Sequence, residues 1–423
     1  MSVLNNKPAV VGLIFVFLFV GMGVGYFGLQ AVAPMNPGLS GSQQIVFLAP
    51  LTGELADYAQ NSKVAAEFAV TQVNNWLAHN MSESWSLTLT TVDTGLDPNQ
   101  ALTKMQTFAG VQFFMGPMSS AEVKGVKQYA DSNKLLVISP SSTSPAIALP
   151  NDYVLRYCPS DAYQGLALAR LLNTANVTNV VITWRGDSWG DGLENATATS
   201  FQALGGTVKE SVRYDPTTSD FTTAASTLAS DVSAVQGGGV ALKNIGVLSI
   251  SFAEIVGYMT AADSKSVLKQ VNWFGSDGDV NLPGILTDPT AGPFAKHANF
   301  TCSQASPQES PYFDQVRNHV NATLGRVPDS YAYFSYDVIW TLALGLEQVK
   351  SYSAEKVKGV LPSVIEHYYG ASGAFTLNAN GDRAPGNYDL WTVLGSGSTQ
   401  VWTKTGLWHG VLDTITWTTN PYV

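Results

Sequence analysis

Charge is what this sequence has least of. Only 13% of its 423 residues are Asp, Glu, Lys or Arg, and 32 acidic residues outnumber 22 basic ones for a formal net charge of -10. So little positive charge leaves no electrostatic footprint for DNA, RNA or anionic lipid headgroups, which excludes nucleic acid as a partner. Cysteine is scarcer still, with Cys158 and Cys302 alone. The histidines His79, His297, His319, His367 and His409 stand isolated, and neither H-E-x-x-H nor G-x-S-x-G occurs. No metal centre, cofactor site or hydrolase motif is signalled. The absence of a short fixed repeat argues against a solenoid or propeller.

Between Pro8 and Leu51 there is no charged residue at all. Within that stretch Ala9 to Ala33 is apolar apart from glycines, Tyr26 and Gln30, and a bilayer needs about 20 such residues. The alternative is a cleaved secretory signal, whose apolar region runs to about 7 to 15 residues, ending at Ala31-Val-Ala33. Pro34 is a poor cleavage context, so residues 1–33 are expected to be a retained anchor. Lys7 ahead of the run favours a cytoplasmic N-terminus and an extracellular remainder. No cysteine near Ala33 permits a lipoprotein anchor. Asn80, Asn176, Asn195, Asn299 and Asn321 each open an N-x-Ser/Thr acceptor, as expected of a glycoprotein surface, although Asn, Ser and Thr are common enough here to produce such matches by chance. The two cysteines fit either one bridge or two buried thiols.

Residues 34–43 read as a charge-free linker. The folded part then opens with Ile45-Val-Phe-Leu-Ala49, a run typical of a strand buried on both faces of a parallel sheet. Val64, Ala65, Phe68, Ala69, Val73 and Trp76 follow at helical spacing. The alternation repeats: strands over residues 86–91, 113–115 and 135–138, with helices over 99–109 and 120–132 between them. A second series begins near Arg156, with helices over 163–172, 190–204, 222–232 and 254–262 and strands over 180–183, 245–250 and 272–274. Such alternation predicts an α/β protein of two doubly wound, Rossmann-like lobes, which bind ligands at the carboxyl ends of their strands. After Gly373 the character changes to strand-like pieces at 375–377, 388–394 and 400–403.

Several segments then become recognisable in order along the chain. They are Pro50-Leu-Thr-Gly-Glu-Leu-Ala-Asp-Tyr58 with Ala65-Ala-Glu-Phe-Ala-Val70, Gly116-Pro-Met-Ser-Ser120, Ile138-Ser-Pro-Ser-Ser-Thr-Ser-Pro145, Pro159-Ser-Asp-Ala-Tyr-Gln-Gly165, Asp187-Ser-Trp-Gly-Asp-Gly192 and Gly275-Ser-Asp-Gly278. The tail adds Asn378-Ala-Asn-Gly-Asp382, Tyr388-Asp-Leu-Trp391 and Gly406-Leu-Trp408. Together they resemble the Leu/Ile/Val-type branch of the type I periplasmic-binding proteins.

The resemblance implies two lobes joined by three crossover strands, residues 44–157 plus 304–372 forming one and 158–303 plus 373–423 the other. It also implies a Cys158–Cys302 disulfide tying two hinge strands. By the same analogy the chain would bind an amino acid or related small amide in the cleft by lobe closure and deliver it to an ABC permease, with no cofactor.

A zwitterion leaving water needs donors for its carboxylate, an acidic acceptor for its ammonium and a wall for its side chain. Ser120 stands at an expected helix N-terminus, where free N–H groups favour an anion; the same serine also reads as a plain N-cap. Ser141, Ser142 and Thr143 follow a strand, and in the resembling family this loop holds both charged ends of the ligand, although Ser and Pro also make an ordinary turn. Asp277 occupies the position of the family's ammonium-pairing carboxylate, with Asp279 close by as a rival. Tyr58, Trp189 and Phe252 map to positions that close over the ligand. Trp189 and Phe252 stand where tyrosines are often found, which points to an apolar or aromatic ligand side chain or to a smaller ligand. Asp161 and Gln164 are further candidates, with helix capping an equal account of Asp161.

Two rival classes remain at this stage. Isolated histidines make an enzyme the weaker one. A ligand-sensing ectodomain working with a separate signalling partner is the other.

Overall fold

The computed structural model describes residues 38–395 and 399–423. The anchor expected over residues 1–33 lies outside them. Among the described residues no helix is long and apolar enough to cross a membrane.

The first sheet holds β1 (Gly41–Ala49), β2 (Trp85–Asp93), β3 (Phe113–Met115), β4 (Leu136–Ser139) and β5 (Val154–Arg156) in the order β2-β1-β3-β4-β5. All its pairings are parallel, with Val46 beside Phe114 and Ile45 beside Leu89. Ile45 to Ala49 are fully buried, as the apolar run requires. Helices α1 (Ala56–Trp76), α2 (Pro98–Gln106) and α3 (Ser120–Asn133) connect these strands. The expected linker ends too late. Its last residues, from Gly41, already belong to β1, where the polar Ser42 and Gln44 bond Thr88 and Thr90 of the edge strand β2.

The second sheet is built from α4 (Asp161–Thr174), β6 (Asn179–Arg185), α5 (Ser188–Ala203), β7 (Thr207–Tyr214), α6 (Thr222–Gly237), β8 (Ile245–Ile250), α7 (Ile255–Asp263), β9 (Asn272–Gly275), α8 (Pro283–Thr287), α9 (Ala291–His297) and β10 (Thr301–Ala305). The chain then returns to the first sheet with α10 (Pro311–Leu324), α11 (Ser330–Val349) and α12 (Ala354–Glu366), and α11 packs along α1. After the small pair β11 (Tyr369–Gly370) and β12 (Gly373–Ala374) it crosses back as β13 (Tyr388–Leu394), β14 (Val401–His409) and β15 (Thr414–Trp417). These three add antiparallel strands to a parallel core, giving the order β15-β14-β13-β10-β9-β8-β6-β7.

Strand β7 escapes sequence reading because Thr207-Val-Lys-Glu-Ser-Val-Arg-Tyr214 is a charged, mostly solvent-facing edge. Residues 375–377, expected as a strand, contribute only an isolated bridge between Leu377 and Arg383. Three crossings tie the lobes, after β5, after β10 and before β13. The first and third are bolted together by a buried ion pair: Arg156 donates from Nε to Asp382 Oδ1 at 2.5 Å and from Nη2 to Oδ2 at 2.7 Å.

The expected disulfide is not formed, and both cysteines are buried free thiols. Cys158 Sγ donates to Ser142 O at 3.2 Å, while Cys302 sits within the β10 ladder and its sulfur fills the space over Gly275. Each sulfur therefore packs into its own surroundings, Cys302 within its strand and Cys158 in the crossing just after β5. Burial pushes both thiols well above their ordinary pKa, so neither is a ready thiolate.

Candidate functional site

Both sheets reverse strand order next to their first strand, and the loops leaving the carboxyl ends there converge on one cleft. From the first sheet come Tyr58 after β1, Ser120 after β3 and Ser141 after β4. Trp189 after β6, Phe252 after β8 and Asp277 after β9 come from the second. All six line one small cavity, together with Leu55, Met118, Ser119, Gly278 and Tyr331. The lobes are closed on each other: Tyr58 Oη donates to Val280 O at 2.6 Å and Asp277 O at 3.2 Å, and Ser144 Oγ to Ser188 O at 2.6 Å.

Local capping decides which side chains are free. Ser119, not Ser120, caps α3, its Oγ accepting from Glu122 N in a capping box with the Glu122 carboxylate. Ser120 is thereby released. Its Oγ accepts from Ser142 Oγ at 3.0 Å and Ser144 N at 3.1 Å, which leaves its own proton for the cavity. Gly116, at φ +76°, brings the chain against β1, where a Cβ would lie 2.3 Å from Leu48 O. Only glycine fits there.

Ser142 and Thr143 do not line the cavity but lie behind it. Ser142 spends its hydroxyl on Ser120, and its carbonyl accepts from Arg156 Nη1 at 3.2 Å. The same nitrogen donates to Ser144 O at 2.7 Å, so the hinge ion pair also fixes the 141–144 loop. Thr143 Oγ1 is buried, and its hydroxyl stands as a donor toward the Asp161 carboxylate. Helix α4 is capped by Ser160, whose Oγ accepts from Ala162 N, and this frees Asp161 from the capping role. Asp161 N donates to Thr143 O at 2.9 Å, and both its carboxylate oxygens are buried with no basic partner among the described residues.

Asp277 presents the same feature from the other side. One oxygen accepts from Tyr331 Oη, while Oδ1 is buried with no basic partner. Asp279, the rival, has its acceptors occupied: Oδ1 by Ser251 Oγ at 2.9 Å, Oδ2 by Ser276 N at 2.8 Å and Ser276 Oγ at 2.9 Å. Burial raises the Asp277 carboxyl to about 6. Burial, then the negative charge of Asp277, holds Asp161 well above the carboxylate range. Two buried carboxylates with no basic partner call for a cation.

The apolar side of the cavity is a stack. Trp189 and Phe252 lie with centroids 4.3 Å apart at 15°, and the Arg185 guanidinium stands 4.9 Å from the Phe252 centroid. Arg185 is itself held by Asp187 at 2.8 Å and Glu254 at 3.1 Å. Sequence reading missed Tyr331 and Gln304. Tyr331 opens α11, far along the chain in the returning segment, and Gln304 Nε2 supports the Asp277 carbonyl at 3.1 Å. Neither carries a motif, and only the topology brings them here. Gln164 Nε2 donates to Ser303 O at 3.0 Å, and its side chain also stabilises the charged form of Asp277 by hydrogen bonding.

Residues 61–396 match the family described as the receptor family ligand binding region. An uncharacterised protein of Methanocaldococcus jannaschii is 30% identical over 402 residues, covering 89% of this chain and 93% of that protein. The Leu/Ile/Val-binding protein BraC3 of Rhizobium johnstonii is 24% identical over 357 residues, 82% of this chain and 90% of its own. Among solved structures, the leucine-binding protein of Thermotoga maritima shares the fold with a TM-score of 0.70 at 18% identity, over 85% of this chain and 97% of that one. The chain thus belongs to the receptor family ligand binding region, and it has the two-lobed fold of the type I periplasmic-binding proteins.

Proposed function

We propose that the protein captures a small primary amino acid, or a related small amide, between its lobes outside the membrane and delivers it to an ABC importer. One observation carries this reading. Asp277, in the wall of the closed cleft, and Asp161, behind it beside the Thr143 hydroxyl, are buried acids with no basic side chain hydrogen-bonded to them, and each raises the other's need for a positive charge. A primary ammonium brings three N–H donors and one positive charge, which answers both acids at once. Ser120 Oγ and the free N–H groups at the start of α3 then receive the ligand carboxylate.

Closure follows from this division. Ser120 and Thr143 belong to the first lobe's loops, and Asp277 arrives from the second sheet. A ligand holding both is bound better in the closed form, and only that difference drives the hinge. The names of the relatives support the amino-acid class. The apolar run ahead of Ala33 serves in this reading as the hold on the membrane. Asn80, Asn176, Asn195 and Asn321 are exposed and offer glycan acceptors, whereas Asn299 is half-buried with its amide donating to Asn272.

The test is mass spectrometry of small molecules released from the denatured native protein, followed by calorimetry with wild type and Asp277→Ala. An amino acid is expected in the extract, and the variant should bind it at least about 100-fold more weakly, the loss that goes with a few kcal/mol at a buried charge pair. A carboxylic acid without an amine, bound equally by both proteins, would overturn the reading. Co-purification with a kinase or cyclase instead of a permease would favour the sensing role.

A further inference from the structure

Given the amino-acid reading of the cleft, on which this inference rests, the geometry points to a narrower substrate class: we infer that the site selects the smallest side chains, those of glycine and alanine, and rejects branched and aromatic ones.

The closed cavity measures about 20 Å³, little more than the room of one water. Any ligand must gain space by displacing something, and each added carbon asks for more. The question is which wall can give.

The Trp189 side cannot retreat cheaply. Its ring is stacked on Phe252, and Phe252 is held in turn by the ion-paired Arg185 guanidinium. From the loop side Gly278 presses on both rings, so closely that a Cβ there would lie 2.8 Å from Phe252 Cδ1, 2.9 Å from Trp189 Cη2 and 2.4 Å from Ser251 O. A ring enclosed on these sides is fixed by packing rather than by rotamer preference alone. All of these groups belong to one lobe, so the stack persists whether the cleft is open or shut.

The facing wall is set by closure itself. Tyr58 is nearly fully buried, packs edge-on against Tyr331 with centroids 5.8 Å apart, and spends its hydroxyl on Val280 O across the cleft. Tyr331 is committed to Asp277. A branched side chain large enough to push Tyr58 back breaks the bonds that close the lobes. The stack therefore acts as a size stop rather than as a platform for an aromatic ligand.

The experiment is calorimetric titration of the full chain, freed of carried-over ligand, with glycine, alanine, leucine and phenylalanine, repeated on Trp189→Ala and on the milder Phe252→Leu. Wild type is expected to bind alanine or glycine at least about 100-fold more tightly than leucine, since one surplus methylene in a filled pocket is already worth about tenfold or more. Either variant should improve leucine at least tenfold relative to alanine. Wild type binding leucine or phenylalanine as tightly as alanine overturns the size inference and leaves the amino-acid reading standing. If no amino acid binds wild type at all, the underlying reading fails and this inference with it. Phe252→Leu keeps the test valid should Trp189→Ala not fold.

Discussion

Replacing Asp277 with Asn separates the site's chemistry from the fold's stability. In the unliganded protein Asp277 is buried, has no basic partner and is raised by that burial to about 6 from the ordinary aspartate value of 3.8. An acid whose folded pKa lies above its unfolded one binds its proton more tightly when folded. Its penalty is therefore fully present above about pH 6, shrinks as pH falls through 6 and is gone below about 4. The size of that shift corresponds to about 3 kcal/mol at neutral pH, an order-of-magnitude figure. Asn keeps the acceptor for Tyr331 and removes the charge, so Asp277→Asn should stabilise the empty protein by about 1 to 3 kcal/mol at pH 7.5 and by about a third of that at pH 4.5. The same change should abolish amino-acid binding. Chemical denaturation of both proteins across pH 4.5 to 7.5 reads the difference directly, because Asp279 and Asp329, also raised by burial, act alike in the two, and the part of the Asp161 shift that the Asp277 charge causes is removed with that charge in the same, stabilising direction. A variant less stable than wild type at pH 7.5, or an unchanged pH slope, would refute the reasoning.

Other perturbations give equally definite outcomes. Tyr58→Phe deletes the donations to Val280 O and Asp277 O that cross the closed cleft, so affinity should fall about three- to tenfold while the melting temperature hardly moves; calorimetry and small-angle scattering with saturating ligand measure both. Asp382→Ala strands the buried Arg156 guanidinium and should cost about 3 to 5 kcal/mol in denaturant unfolding, and loosening of the 141–144 loop should weaken the ligand as well. A thiol reagent should leave Cys158 and Cys302 untouched in the native protein and label both after denaturation, with no mass change on reduction.

The site loops were legible because periodicity places each just past a buried strand of a doubly wound sheet, and the resemblance to the periplasmic-binding proteins picked out the residues within them. Tyr58, Ser120, Ser141, Trp189, Phe252 and Asp277 share one cavity for that reason. What stayed hidden depends on local competition or on long-range topology. Asp161 and Ser120 both looked like caps until Ser160 and Ser119 proved to do the capping. Tyr331 is contributed by a helix that enters only after the chain has crossed back, 54 residues beyond the Asp277 it bonds. The disulfide was inferred from proximity to the crossovers, whereas each thiol is turned into its own surroundings. Charge on β7 masked an edge strand, and polarity at residues 41–44 masked the start of β1.

The most direct measurement is a crystal structure of the closed protein with alanine bound. The amino nitrogen should lie within about 3.2 Å of Thr143 Oγ1, an Asp161 oxygen and Asp277 Oδ1, with the carboxylate on Ser120 and the start of α3. Alanine bound the other way round, or an amine that leaves those three acceptors empty, would contradict the account.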